Sequence, residues 1–206
     1  MQGFLHNGVK VSLLQDAAGG VVFKTGVFSL ARRGTLSLQE KSSLDVRPVM
    51  AARNRLLIEL REAQRMNDSQ VRLIPNHDNL YEWVAVIVGP KESPYQNGKW
   101  KLRLICPPTY PLSPPTVTFL TKCFHPNVDF RTGAVCLNIL RDGSWTPAWN
   151  LHYVCLAICA LMDIPNADSP LNCDAGNLIR SGDLRGFRSM ARMYTIEYAS
   201  AEITLE

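Results

Sequence analysis

The sequence predicts an α+β fold, in which one helix precedes an antiparallel sheet and further helices follow it. Residues 49–63 carry apolar side chains at helical spacing, with most arginines elsewhere around the helix. Two strand-like segments follow at residues 81–88 and 99–105, and the second alternates polar with apolar residues. Residues 151–162 are apolar nearly all round, which predicts a buried helix after the sheet.

Length and charge restrict the class of protein. The 206 residues suffice for one sizeable domain with additions, and 46% of them are hydrophobic, as in a packed globular protein. The net charge of +4 is mild and no dense basic run is present, so we predict no nucleic-acid partner. No apolar run approaches the length that spans a bilayer. Any membrane association is therefore expected to be peripheral or through a partner.

We expect the domain to occupy residues 47–206 and residues 1–46 to form a poorly ordered extension. Glycine pairs, arginines and serines interrupt each short apolar run of this extension. The extension holds five basic residues against three acidic ones, and a scarcity of acidic residues is typical of a transit peptide. We disfavour that alternative because the helical amphipathicity of the segment is weak.

The predicted strands are expected to form an antiparallel meander. Asn97-Gly98 favours a hairpin turn, and residues 116–120 have the character of a further strand. Residues 106–115 lie between the strands and contain five prolines. Because each proline lacks a backbone donor, this segment is predicted to be a fixed, extended loop.

Loops and helices are predicted for the remainder of the chain. Residues 145–149 contain Pro147 between two tryptophans and predict a second rigid loop. Asp168-Ser169-Pro170 predicts a helix start, because proline suits the first turn. A last helix is expected from about residue 183 to residue 201.

The six cysteines indicate reduced thiols rather than a disulfide framework, because the chain is not short and no secretory signal is visible. A zinc site formed by Cys123, His125 and Cys136 is disfavoured. No C-x-x-C pair accompanies these residues, and Pro126 stiffens the backbone beside the proposed ligand. We predict neither a metal site nor a cofactor.

Residues 124–140 are the most informative about function. His125-Pro126-Asn127 is followed by a polar turn ending in Gly133 and then by Cys136 between aliphatic residues. A nucleophilic cysteine must be accessible and must react as the thiolate. No histidine has the spacing of a general base for Cys136, which argues against a hydrolase whose base and nucleophile act as a unit.

Four side chains near this pattern have candidate roles. The Asn127 amide can donate to a developing oxyanion or hold the adjacent loop, and we favour the first. For His125 we favour a structural role in the turn, shared with Pro126. Asp168 and Ser169 are candidates for orienting and desolvating an attacking amine, with helix capping as an equal alternative.

Over residues 47–206 the chain resembles the ubiquitin-conjugating enzyme family. Four motifs in chain order carry most of the resemblance: Tyr110-Pro111 with Pro114-Pro115, His125-Pro126-Asn127, Cys136-Leu137-Asn138-Ile139-Leu140, and Trp145-Thr146-Pro147-Ala148. The resemblance implies the α+β fold of that family, in which an N-terminal helix precedes a four-stranded antiparallel meander and then the central and C-terminal helices. It also implies ubiquitin and the ubiquitin-activating enzyme as partners.

The family's functional positions are implied in the same way. Cys136 matches the cysteine that carries ubiquitin as a thioester, and Asn127 matches the oxyanion or loop-stabilising asparagine. Leu112 and the Pro147-Ala148 pair fall in the two loops that bind RING-type ligases, and the first helix completes that surface. Ser169 stands where many members carry aspartate, which weakens the case for acidic activation there.

Residues 168–183 are similar to the peroxisomal members of the family, in which Ser-Pro-Leu and Arg-x-Gly-Asp likewise follow the buried helix. This similarity implies recruitment to the cytosolic face of the peroxisome by a membrane-anchored peroxin, and transfer of ubiquitin to an import receptor. A general cytosolic or nuclear conjugating enzyme is the first alternative. A non-catalytic ubiquitin-binding variant of the fold is the second, and a ubiquitin-like modifier in place of ubiquitin stays open.

Overall fold

The structure is a computed structural model that describes residues 5–6, 9–10, 13–15, 21–23, 38–141 and 143–200, with side chains from residue 49 onward. Its contacts divide the chain into two compact units, Met1–Leu38 and Gln39–Glu206. The expected division after residue 46, and the poor order expected before it, stay predictions.

The first unit contains two short antiparallel ladders. Strand β1 (Leu5–His6) pairs with β2 (Val9–Lys10), and β3 (Leu13–Gln15) pairs with β4 (Val21–Phe23). The sequence pattern did not predict these strands, because none exceeds three residues.

Helix α1 (Leu38–Arg65) belongs to the second unit from its second residue onward, and it starts earlier than the predicted first helix near residue 47. Its apolar face buries Ala52 and Leu56 completely. The exposed residues alternate with them at helical spacing, as the sequence pattern predicted.

A four-stranded antiparallel sheet follows in the order β5 (Val71–Pro75), β6 (Glu82–Val88), β7 (Lys99–Ile105) and β8 (Thr116–Phe119). This confirms the predicted meander. Along β7 the side chains of Trp100, Leu102 and Leu104 are buried, while the intervening ones are more exposed. The connection from β6 to β7 spans residues 89–98, so the predicted hairpin turn at Asn97-Gly98 is only the end of a longer loop.

Three helices follow the sheet: α2 (Leu151–Asp163), α3 (Cys173–Arg180) and α4 (Leu184–Ala199). Helix α2 confirms the predicted buried helix, and the Asn150 side chain caps it by accepting from the Tyr153 amide. Among residues 38–141 and 143–200, we find no helix with both the length and the apolar character that crossing a bilayer requires.

The predicted helix start at Asp168-Ser169-Pro170 is wrong. The amides of Leu171 and Asn172 both donate to the Pro126 carbonyl, at 2.8 and 3.0 Å, so this irregular stretch is bonded to the segment before Cys136. Helix α3 begins only after it, and Asn172 is its N-cap, accepting from the Ala175 amide at 3.2 Å.

Candidate functional site

Backbone pairing places Cys136 beside Asn127. Val128 and Val135 form an isolated antiparallel bridge, and the Cys136 amide donates to the Asn127 carbonyl at 2.9 Å. The intervening turn needs Gly133, whose φ is +73° and whose Cβ, if present, would lie 2.0 Å from the Phe119 carbonyl oxygen. The glycine predicted to end the turn therefore sets the register that positions the cysteine.

The Cys136 side chain is partly exposed and opens on a cleft of about 330 Å³. A short 3-10 turn, Asn138–Leu140, follows the cysteine and forms one wall. The cleft brings together four of the predicted site residues with five others; its lining is Asn127, Cys136, Leu137, Asn138, Arg141, Leu161, Asn166, Asp168 and Ser169.

Asn127 is 4% exposed, and both atoms of its side-chain amide bond to the main chain of Asn166. Its Nδ2 donates to the Asn166 carbonyl at 2.8 Å, and its Oδ1 accepts from the Asn166 amide at 2.9 Å. This pair joins the cysteine segment to the loop after α2. One hydrogen of the Nδ2 group is left over for a ligand in the cleft.

His125 is fully buried, and each ring nitrogen has a main-chain partner. The Asn127 amide donates to Nδ1 at 3.0 Å, so Nδ1 is the acceptor and Nε2 carries the hydrogen that faces the Leu161 carbonyl at 3.0 Å. Burial lowers the pKa of His125 to about 4, although the Leu161 bond opposes the shift. These are the bonds that a turn-building, neutral histidine makes.

Asp168 and Ser169 are exposed on the rim of the cleft. The Asp168 amide donates to Asn166 Oδ1 at 2.8 Å, which fixes the backbone while leaving the carboxylate directed to solvent. The alternative role of helix capping is wrong for both residues, because Asn172 caps the helix that follows. Their role toward an attacking amine stays a prediction.

Sequence reasoning missed Arg141 and Asn166. Arg141 Nη2 donates to Cys136 Sγ at 2.7 Å. A basic residue just beyond the helical turn that follows a reactive cysteine was a signal that could have found it. No sequence signal indicates Asn166, because it contacts Asn127 through main-chain atoms.

Most of the other thiols are buried. Burial, with a smaller contribution from a nearby carboxylate, raises the pKa of the Cys106 and Cys159 thiols to about 12. Burial also raises the pKa of Cys123 and Cys155. Of the six cysteines only Cys136 and the exposed Cys173 are accessible, and Cys173 is not among the residues that line the cleft.

The described residues contain no group of three or more His, Cys, Asp or Glu side chains arranged to hold a metal ion.

The residues predicted to bind a ligase lie on two loops that are bonded to each other. Leu112 is 72% exposed on the proline-rich loop, and Pro147 and Ala148 are exposed on the second loop. Trp145 Nε1 donates to the Pro111 carbonyl at 2.7 Å, which joins the two loops.

A buried carboxylate attaches both loops to α1. Glu59 is 3% exposed and accepts from Arg55 Nε at 2.7 Å, the Tyr110 hydroxyl at 2.6 Å and the Leu151 amide at 2.8 Å. Arg55 also donates to the carbonyls of Pro147 and Trp149, at 2.8 and 2.9 Å. We refer to Arg55, Glu59 and Tyr110 as the Glu59 network.

Comparisons with known proteins identify the family of this chain. The sequence model of the family described as "Ubiquitin-conjugating enzyme" matches residues 55–195. Protein PEROXIN-4 of Arabidopsis thaliana is 54% identical over 149 residues, which cover 71% of this chain and 94% of the relative. The ubiquitin-conjugating enzyme E2 pex4 of Dictyostelium discoideum is 51% identical over 150 residues, covering 72% and 99%.

A solved structure supports the same assignment. The E2 domain of a Toxoplasma gondii ubiquitin conjugating enzyme superposes with a TM-score of 0.65 at 31% identity, covering 71% of this chain and 98% of that domain. The helix, four-stranded meander and following helices thus form the fold that the sequence resemblance implied. The chain belongs to the ubiquitin-conjugating enzyme family.

Proposed function

We propose that Cys136 is the residue that carries ubiquitin. The observation that supports this most is the partly exposed thiol on the cleft, set against four cysteines that are buried. In the charging step the Cys136 thiolate, having lost its proton to solvent, attacks the carbonyl carbon of the thioester on the activating enzyme. A new C–Sγ bond forms, the old C–S bond breaks, and the activating enzyme's thiolate leaves.

The second step transfers ubiquitin to an amine. A neutral lysine amine attacks the thioester carbonyl, the C–N bond forms, the C–Sγ bond breaks, and the amine proton goes to solvent. The remaining Nδ2 hydrogen of Asn127 is available to the developing oxyanion, while its other bonds hold the Asn166 loop in place. The exposed Asp168 and Ser169 lie on the rim that an incoming amine meets.

The surface formed by Leu112, Pro147, Ala148 and α1 is the proposed docking site for a RING-type ligase. Leu112 offers an apolar anchor, because its side chain is largely exposed on the proline-rich loop. The Glu59 network holds the two loops against α1, so a ligase meets one rigid surface.

We assign the chain to peroxisome biogenesis. The names of two relatives, PEROXIN-4 and pex4, at 54% and 51% identity, support this role. In this role the enzyme is held at the cytosolic face of the peroxisome by a membrane-anchored peroxin and modifies an import receptor together with a RING-type ligase.

Charging with ubiquitin tests the proposed cysteine. Incubation with activating enzyme, ATP and ubiquitin should give an adduct that a thiol reductant removes. Cys136→Ser should give an adduct that resists reductant, because an oxyester replaces the thioester. Cys173→Ser is the matched control and should charge as the wild type does; an unchanged, reductant-sensitive adduct in Cys136→Ser would show that another cysteine carries ubiquitin.

Deletion and complementation of the native gene test the peroxisomal role. Cells that lack the protein should fail to import a peroxisomal matrix reporter, and the wild-type chain should restore import where Cys136→Ser does not. Normal import in its absence would favour the general cytosolic or nuclear enzyme instead.

A further inference from the structure

The guanidinium of Arg141 has one described side-chain partner, the sulfur of Cys136. Its Nη2 lies 2.7 Å from Sγ, and both residues line the same cleft. Among the residues whose side chains are described, no carboxylate forms an ion pair with Arg141. An arginine is charged at every pH at which the protein is folded, so this donor is always available to the sulfur.

The backbone around Arg141 fixes this geometry. The 3-10 turn Asn138–Leu140 carries the chain back over the cysteine, and the Arg141 amide closes it by donating to the Asn138 carbonyl at 3.1 Å. The amide of Ser144 in turn donates to the Arg141 carbonyl at 3.1 Å. The arginine is thus held at a distance from Cys136 that its side chain spans.

We propose that Arg141 is a catalytic residue that stabilises the Cys136 sulfur whenever that sulfur carries negative charge. This inference depends on the proposed role of Cys136 as the ubiquitin carrier. A guanidinium N–H bonds a thiolate more strongly than a neutral thiol or a thioester sulfur, because the acceptor is charged. The bond therefore favours the attacking thiolate during charging and the departing thiolate during discharge.

The negative charge on the Cys136 sulfur falls during charging and rises during discharge, so the bond from Arg141 acts differently in the two steps. In charging, the sulfur loses negative charge as its bond to the ubiquitin carbonyl carbon forms, so Arg141 acts by raising the fraction of reactive thiolate. In discharge, charge returns to the sulfur as the C–Sγ bond breaks, and the guanidinium stabilises this transition state more than the thioester ground state. The charged side chains that line the cleft are Arg141 itself and Asp168, which forms no ion pair among the described residues.

Alkylation of Cys136 tests the pair without requiring ubiquitin. The background is Cys173→Ser, which removes the other accessible thiol. In this background, Arg141→Gln should slow the reaction of Cys136 with iodoacetamide at pH 7 by about fivefold. The effect is kept small because solvent weakens the bond between the two accessible side chains. Arg141→Lys keeps the charge but loses the planar guanidinium, so its alkylation rate should lie between those of Arg141→Gln and the Arg141 parent.

The pH profile separates an electrostatic role from a structural one. The rates of Arg141→Gln and the Arg141 parent should converge as the pH is raised toward 10, because hydroxide then deprotonates the thiol without help from the guanidinium, whereas a misplaced cysteine would react slowly at every pH. Arg72→Gln removes the same charge from an exposed position outside the cleft and is the matched control. Equal rates for Arg141→Gln and Arg72→Gln at pH 7, or a deficit that persists at pH 10, would overturn the inference.

Single-turnover discharge onto free lysine tests the leaving-group step. Arg141→Gln, once charged, should discharge about fivefold more slowly than Arg72→Gln at the same pH. Normal discharge together with slow alkylation would remove the discharge part of the inference. If the wild type charges on Cys136 and Arg141→Gln matches it in every assay, the inference fails and the proposed function stands. If Cys136 never charges, the proposed function fails, whatever the alkylation rates show.

Discussion

Around Glu59 each polar group has a protein partner, whereas around Cys136 several polar groups face an open cleft. The two carboxylate oxygens of Glu59 accept three hydrogen bonds, and all three nitrogens of the Arg55 guanidinium donate. In the cleft, the exposed side chains of Asp168 and Ser169 have no hydrogen-bond partner among the described residues, and Asn127 keeps one spare hydrogen.

This contrast separates two requirements of a carrier enzyme. A docking surface must keep its shape, and a buried, fully bonded carboxylate fixes the loops on both sides of it. A site that exchanges a thioester between proteins must admit large partners, so its polar groups stay solvated until a partner covers them. The predictions below test whether stability depends on the first region and reaction rate on the second.

Loss of the Glu59 carboxylate should have the largest effect on stability. Glu59→Ala leaves Arg55 Nε, the Tyr110 hydroxyl and the Leu151 amide without their acceptor, so the free energy of unfolding should fall by about 4 kcal/mol. Burial, with a contribution from Glu59, raises the pKa of Tyr110, so its hydroxyl remains a donor. Urea denaturation measures the loss.

Glu59→Gln is the matched control for that change. Glutamine keeps one acceptor oxygen, but its NH₂ group replaces the other oxygen and faces a donor. The fall in the free energy of unfolding should therefore be about half of that expected for Glu59→Ala. Iodoacetamide should alkylate Cys136 at the wild-type rate in the folded Glu59→Gln protein, because no residue of the Glu59 network lines the cleft. A slower rate would show that the two regions are coupled.

Asn127→Ala should lower the rate of reaction most. It removes both the spare Nδ2 hydrogen and the two bonds to Asn166, so discharge of the thioester onto lysine should slow by about 100-fold. Charging should slow less than discharge, and single-turnover assays of the two steps measure the difference. Asn166→Ala keeps the main-chain bonds and removes only the Oδ1 acceptor of the Asp168 amide, so it should cost about threefold.

Alkylation of Cys136 distinguishes between the two roles of Asn127, because the reaction with iodoacetamide forms no oxyanion. If Asn127→Ala slows alkylation as much as discharge, the residue acts through loop geometry alone. Slow discharge with an unchanged alkylation rate would support the oxyanion role.

His125 should make stability depend on pH below neutrality. Its pKa is about 4 in the folded chain and about 6.5 in the unfolded chain, so between these values only the unfolded chain binds the proton. Stability is complete above pH 6.5 and falls as the pH is lowered, by about 2 kcal/mol at pH 5. Protonation of Nδ1 would also break its bond from the Asn127 amide.

Comparison with His125→Asn isolates this contribution from the other titrating groups. The variant should be less stable at pH 7.5, yet it should lose about 2 kcal/mol less than the wild type between pH 7.5 and pH 5. Parallel loss of stability in the two proteins, measured by urea denaturation at each pH, would contradict a neutral His125 in the fold.

The two regions also differ in how far the sequence could predict them. Helix α2 follows from a local apolar pattern, so its predicted range of 151–162 is close to the observed Leu151–Asp163. The start of α3 does not follow from a local pattern. The amides of Leu171 and Asn172 donate to the distant Pro126 carbonyl, so the helix begins only at Cys173. Periodicity reports burial within one element and carries no information about such partners.

The same limit applies to individual site residues. Cys136 and Asn127 were identified because their motif is contiguous, whereas the Asn166 main chain that bonds Asn127 lies 39 residues away. Glu59 is a charged residue of an amphipathic helix, and nothing in the local sequence distinguishes its buried position from an exposed one. Side chains that bond across the fold are therefore the part that sequence patterns leave out.

Leu112→Ala should have the smallest effect and should alter neither region by itself. The side chain is 72% exposed, so its loss should leave the free energy of unfolding and the intrinsic discharge rate unchanged. Discharge stimulated by a RING-type ligase should fall by about tenfold, as expected when an apolar anchor at the centre of a docking surface is removed. Ile196→Ala, at a 56% exposed position on α4, is the matched control and should keep full stimulation. An equal loss in both variants would place the ligase contact elsewhere, and the rigidity that the Glu59 network gives to the two loops would then need a different explanation.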